Sequence, residues 1–214
     1  MFSISDEYES VYQSKIDGKN KGSGLGLYIH KNYKFTIKDP ISMCTEDIET
    51  LFVDITEAGS TPSTPRLVGI VYRPPNGNIH TFNSEIRDIL AGTNDRDVYI
   101  LGDFNINLHN LQTPSHQAFE ESIITSGFTP LISIATHHHG SHCAKTCIDN
   151  IFTNKVESVS VSGTIELGIS NHSAVFQFAN QKTPLIKKSY QNYYTLRLLQ
   201  FKCQEFLYGP KRKY

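Results

Sequence analysis

The sequence predicts an α/β sandwich: two packed, mostly antiparallel β-sheets flanked by helices. Three observations carry this. Strand-like segments outnumber helical ones along the 214 residues. Two of them, residues 67–72 and 98–101, are continuously apolar or small and read as central strands buried on both faces. Helical periodicity is confined to two places, the number needed to cover a sheet rather than to build a bundle.

In chain order, residues 1–21 are polar and weakly patterned, and a Gly/Ser turn follows at Gly22-Ser23-Gly24. Residues 25–29 form a strand whose glycines imply a close neighbour. In residues 50–56, Leu51, Val53 and Ile55 alternate, the period of a strand. Arg73-Pro74-Pro75-Asn76-Gly77 stops the strand at 67–72. Phe82, Ile86, Ile89 and Leu90 fall on one face of a helix that ends near Gly92. The second helix starts at Thr113-Pro114, an N-cap followed by proline in the first turn, turns Phe119 and Ile123 inward and stops at Gly127. Residues 129–135 read as extended, 136–145 as a polar His-rich loop, and 147–153, 156–161 and 174–178 as strands.

Composition narrows the function classes. Hydrophobic residues make up 38% and charged residues 19%, a globular balance rather than a disordered or membrane one. No apolar run approaches bilayer length and no signal peptide opens the chain, so an intracellular setting, cytoplasmic or nuclear, is expected. The four cysteines have no scaffold spacing and read as reduced thiols. Asn171-His172-Ser173 fits a glycosylation sequon, as expected by chance. The net charge of −1 conceals a division: residues 181–214 hold eight Lys/Arg and one Glu, leaving twelve against twenty acidic residues in 1–180. An acidic body is unusual for a protein gripping DNA through phosphates alone, and less so where some of that charge surrounds a cation.

The chemistry concentrates at strand ends. Gly102 permits a close backbone approach, and Asp103 and Asn105, two apart, point to one side if the chain stays extended. A carboxylate and a carboxamide together suit a Mg²⁺ ion or its water, plus a phosphate oxygen. Tyr72 and Arg73 end the strand before, Thr136 opens the His-rich loop, Asp149 lies in the strand at 147–153, and Ser170-Asn171-His172 precedes the last strand. A buried Asp149 wants a partner, and a histidine so paired is oriented and made more basic. Taken singly, Tyr72 also reads as a core aromatic, Asp149 as a satisfied strand-end carboxylate and His172 as a cap.

Tyr-Arg-Pro-Pro, Gly-Asp-Phe-Asn, Ile-Asp-Asn-Ile-Phe and Ser-Asn-His, in this order, resemble the endonuclease/exonuclease/phosphatase superfamily. The likeness is strongest to the endonuclease domain of non-LTR (LINE-type) retrotransposons and runs from about Gly22 to Phe178. It implies a DNase I-like four-layer fold and hydrolytic nicking of DNA with Mg²⁺, or Mn²⁺, as cofactor. It implies that Tyr72 bonds the scissile phosphate or attacking water, that Asp103 positions the nucleophile or the leaving oxygen, and that Asn105 holds a phosphate oxygen. Asp149 would orient His172 as general base or phosphate ligand. Arg73, Thr136 and Asn171 would contact the substrate, and Asp103 and Asn171 the metal. Domain bounds follow: a remnant at 1–21, the endonuclease-like domain at 22–180 and a basic tail at 181–214.

Two departures matter. The family's first strands, one ending in a metal-binding Glu, are expected upstream of the Gly-rich strand, so the N-terminus reads as truncated. Asn171 stands where the family has Asp, removing a charge beside the metal. A reverse transcriptase, the partner domain in a full element, is also absent. Impaired activity is therefore expected. The alternatives are a catalytically inactive remnant binding nucleic acid weakly, a phosphatase or phosphodiesterase of the same fold, or a zinc site among His137, His138, His139, His142, Cys143 and Cys147. Consecutive histidines cannot all turn inward, so residues 137–142 are expected as an exposed loop.

Overall fold

The computed structural model describes residues 6–13, 24–57, 65–93, 96–111, 113–138 and 145–179. Six strands form the main sheet: β3 (Tyr33–Ile37), β4 (Glu49–Glu57), β5 (Arg66–Tyr72), β6 (Val98–Asp103), β7 (Thr129–Pro130) and β10 (Asp149–Thr153). Their spatial order is β3-β4-β5-β6-β10-β7. Every neighbouring pair is antiparallel except β5–β6, which is parallel and joined through helix α1 (Ile79–Ala91). A parallel pair needs such a crossover, because a hairpin returns the chain in the opposite direction.

One face of this sheet packs on α1 and α2 (Pro114–Thr125). Phe82, Ile86, Ile89 and Leu90 are buried there, as their helical spacing requires. Asn78 caps α1 by accepting from the backbone N–H of His80 and Thr81, and Thr113 caps α2 by accepting from His116. Phe119 lies between Phe104 and Phe152, with ring centroids at 5.7 and 5.9 Å. Each such ring contributes roughly 1.5–3 kcal/mol on burial.

The opposite face carries Leu51, Val53, Ile55, Val68, Ile70, Leu101 and Ile151. It packs against β2 (Leu25–His30), paired antiparallel with β1 (Tyr8–Gln13), and against β12 (Ala174–Ala179), paired with β11 (Val159–Ile165). Among the described residues the second layer thus consists of two separate strand pairs, and both helices lie on the other side of the main sheet. A third pair, β8 (His137–His138) with β9 (Lys145–Thr146), borders the site.

Strand β1 falls within the segment that the sequence left unpatterned. Only Val11 of its six residues is buried, so there is no apolar alternation to read. Pairing with β2, where Leu25, Leu27 and Ile29 alternate inward, organises it. Strand β3 has no buried residue and was equally silent. The extended segment read at 129–135 is only two residues of ladder, and β11 begins at Val159 after a 3₁₀ turn at Val156–Ser158. The basic tail and the Gly22-Ser23 turn lie outside the described residues. Among the described residues no helix is long and apolar enough to cross a membrane.

Candidate active site

Strand register builds the site. Glu49 of β4 pairs with Tyr72 of β5, Tyr72 with Asp103 of β6, and Asp103 with Asp149 of β10. Directly opposed residues project to the same face of a sheet. Their neighbours two positions along, Leu51, Ile70, Leu101 and Ile151, sit in the core between the layers, so the four polar side chains line the mouth of that core. Asp103 and Asp149 are 1% and 5% exposed.

His172 reaches the same place from the loop before β12. Its Nδ1 lies 2.9 Å from Asp149 Oδ2 and 3.2 Å from Oδ1. With Nδ1–H donating to the carboxylate, Nε2 is left as the basic nitrogen. The Ser170 hydroxyl holds the loop by accepting from His172 N–H at 2.9 Å. Burial pushes the Asp149 carboxyl above the ordinary carboxylate range, the nearby charge of Asp103 pushes it further, and hydrogen bonds from His172 and Thr136 oppose the rise.

These groups fit a divalent cation. Asp103, Asp149 and His172 each offer a ligand atom, all within 4.8 Å of one another, and among the described residues they are the one such His/Cys/Asp/Glu group. A buried Asp149 whose proton affinity is raised by burial and by the neighbouring charge of Asp103 belongs to a donor set that a hard cation relieves.

Four expectations change in detail. Asn105 does not continue the strand: its φ is +48°, its backbone N–H donates to Asp103 Oδ1 at 3.1 Å, and its side-chain amide donates to the Arg73 carbonyl at 2.7 Å. The alternation argument therefore fails there, because β6 ends at Asp103. Arg73, one residue past Tyr72, faces the helical side instead. Arg73 is 7% exposed, and its guanidinium donates to the carbonyls of Gly77 and Asn105 at 2.8 and 3.3 Å and lies 6.0 Å from the Phe82 ring centre. It braces the backbone under the site. Thr136 is fully buried, and its hydroxyl accepts from the backbone N–H of Ile148 and Asp149. Asn171 is exposed, and its carbonyl accepts from His138 N–H at 2.9 Å.

The His-rich segment is a correction. His137 and His138 are not an exposed loop but strand β8, half-buried and paired with β9. The His137 ring packs on that of His172 with centroids 4.4 Å apart. Cys147 is buried, its thiol facing the Ile132 carbonyl at 3.6 Å, and burial pushes its pKa up to about 11. His139, His142 and Cys143 lie outside the described residues.

Glu49 was missed. It is 3% exposed, and its Oε2 accepts from Gly24 N–H at 2.7 Å, tying the start of β2 to the main sheet. The signal was present: Glu49, Leu51, Val53 and Ile55 share one parity, so the strand that buries the last three turns the carboxylate the same way.

Fold and site together define a class, the endonuclease/exonuclease/phosphatase superfamily. Within it the chain belongs to the endonuclease-reverse transcriptase family, whose model matches residues 67–176, just over half of the chain. Among solved structures, the endonuclease domain of TRAS1, a telomere-specific non-LTR retrotransposon, superimposes with a TM-score of 0.64 at 12% identity, covering 84% of this chain and 83% of that one. An endonuclease/exonuclease/phosphatase family protein from Leptotrichia buccalis gives 0.55 at 18% identity, covering 83% and 73%. A humanized D. rerio TDP2 gives 0.52 at 12%, covering 80% and 75%. At such identities the likeness is one of fold. No curated protein matches the chain.

Proposed function

We propose that this chain is a divalent-cation-dependent endonuclease domain that hydrolyses DNA phosphodiesters, of the kind carried by non-LTR retrotransposons. The observation that carries the reading is the Asp149–His172 hydrogen bond at 2.9 Å, in register with Asp103 and Tyr72. Nε2 of His172 takes a proton from the water attacking phosphorus, and Asp149 orients the ring and stabilises the imidazolium. Tyr72 is placed to donate to a phosphoryl oxygen. Asp103 and Asp149 would hold Mg²⁺ or Mn²⁺. That ion supplies charge neutralisation at the phosphoryl and leaving 3′ oxygens. Asn105 is held beside Asp103 by its own backbone bond, and Arg73 supports both from below.

Asn171 contributes a neutral amide where a carboxylate would add negative charge toward the ion, so activity is weak and Asn171→Asp raises it. The test is nicking of supercoiled plasmid in Mg²⁺ or Mn²⁺. His172→Ala is expected to lose about 10²–10⁴-fold of the rate, Asp103→Ala at least as much, and Asn171→Asp to gain. Nicking that survives both alanine variants overturns the assignment. DNA retained on a column but never nicked, even by Asn171→Asp, points instead to an inactive nucleic-acid binder. Hydrolysis of a phosphomonoester without nicking points to a phosphatase.

A further inference from the structure

Two backbone hydrogen bonds tie β8 to the loop that carries His172. His138 N–H donates to the Asn171 carbonyl at 2.9 Å, and Ser173 N–H donates to the Thr136 carbonyl at 2.7 Å. They bracket an antiparallel bridge between His137 and His172. Because the flanking residues make both bonds, His137 and His172 form the non-hydrogen-bonded kind of pair. In such a pair the opposed side chains lie closest and project to one face. The register thus sets one imidazole on the other, with ring centroids 4.4 Å apart and planes inclined at 46°. On its other edge His137 pairs with Thr146 of β9, and its Nδ1 lies 3.4 Å from the Thr146 hydroxyl.

The two backbone bonds fix the main chain at residues 171 and 173 and leave the ring of His172 to its own contacts. Asp149 meets that ring at one atom, Nδ1. A hold on one edge atom constrains the tilt of the ring weakly, and the tilt decides where Nε2 points. A second ring laid against the face removes that freedom, and aromatic rings near this separation attract beyond the area they bury. We propose that His137 is a positioning residue, whose ring holds the imidazole of His172 in the plane that aims Nε2 at the attacking water. The inference rests on the reading of His172 as the proton acceptor and names what keeps that acceptor in place. His137 acts through His172 alone, and β9 braces β8 from behind.

The test uses the full chain with His137→Ala and His137→Phe. Both variants keep the backbone bonds of the bridge, and thermal unfolding close to the parent's checks that each is folded. In plasmid nicking with Mn²⁺, His137→Ala is expected to lower kcat by about ten- to a hundredfold, the scale of a small misplacement of a reacting group. KM is expected to stay at the parent's value, since no substrate contact is removed. His137→Phe keeps a ring in the same place and is expected to recover most of kcat. Parental kcat in His137→Ala overturns the proposal, and so does an equal loss in both variants. A rise in KM alone makes His137 a substrate contact and overturns it as well. A second readout needs no activity. In EDTA, the carbon-bound ring protons of His172, identified as the signals missing from His172→Gln, are followed by proton–carbon correlation NMR. The ring at position 137 is expected to displace them in the parent and in His137→Phe, and the displacement to vanish in His137→Ala. Signals that His137→Ala leaves in place remove the positioning alone. The expected displacements in a chain that never nicks plasmid keep the positioning of the ring and remove the phosphodiesterase reading.

Discussion

The steric demand at Gly102 gives the sharpest test of how the site is held. Gly102 lies opposite Val71 in the parallel β5–β6 pair. A Cβ at Gly102 would fall 1.8 Å from the Val71 carbonyl oxygen, 2.8 Å from its carbon and 3.2 Å from its Cα, all of them backbone atoms. Real Cβ atoms do not approach closer than 3.0 Å, so the strands must part there by about 1.2 Å, roughly a quarter of their normal spacing. That breaks about two ladder hydrogen bonds at ~1 kcal/mol each and adds overpacking of about 1–3 kcal/mol. Gly102→Ala is therefore expected to cost about 3–5 kcal/mol, a large share of a typical domain's stability. At about 2–4 °C per kcal/mol for a chain of this size, the melting point falls by roughly 6–20 °C. Gly127→Ala is the control. Its φ of +78° favours glycine, but nothing lies within 4 Å of an added Cβ, so the cost is about 1 kcal/mol. Melting followed by circular dichroism decides. A Gly102→Ala midpoint no lower than that of Gly127→Ala would refute the close approach.

Asp149→Asn tests the electrostatics. A carboxyl raised in the folded state costs nothing below its ordinary pKa of about 3.9 and costs more as pH climbs through the raised value, so in EDTA the parent loses stability over that rise. The Asn variant should show a flatter pH profile and lose the stabilisation that Mg²⁺ or Mn²⁺ gives the parent; profiles that overlay would discount the buried charge. Cys147, with its thiol pushed up to about 11 from 9.0, should carry about a hundredfold less thiolate than an ordinary cysteine. In the native protein it is expected to alkylate far more slowly than Cys44, as peptide mass mapping would show. Phe119→Ala should cost about 3–5 kcal/mol, read from denaturant unfolding; a loss below 1 kcal/mol would mean that the cluster around Phe104 and Phe152 refills the space.

What was legible followed from strong local patterns. Strands β4, β5, β6 and β10 announce themselves through apolar runs or alternation, and α1 through one face of four residues. The cap at Thr113 and the left-handed Gly127 bracket α2 as its sequence suggests. The Asp149–His172 contact was foreseeable because a buried carboxylate requires a partner. Side-chain direction past a strand end was not legible. Parity holds only while the backbone is extended, and at Asn105 it turns left-handed. The family resemblance implies a substrate contact for Arg73, and its position one step past Tyr72 turns its guanidinium toward Phe82, a direction that no local pattern records. Glu49 was lost at the boundary of a strand read one residue short. Strands β1 and β3 owe their form to partners, which no local pattern records.

The register of β4, β5, β6 and β10 has a consequence for how this chain tolerates change in length. One extra residue inside β6 would turn Asp103 to the helical face while leaving the apolar composition of the strand nearly intact. Two extra residues would restore the face but carry the carboxylate about 6.6 Å along the strand, out of step with Asp149. The chemistry thus fails in whole steps under insertion. Variants that keep the fold and lose the reaction should therefore be distinguished by strand length rather than by composition.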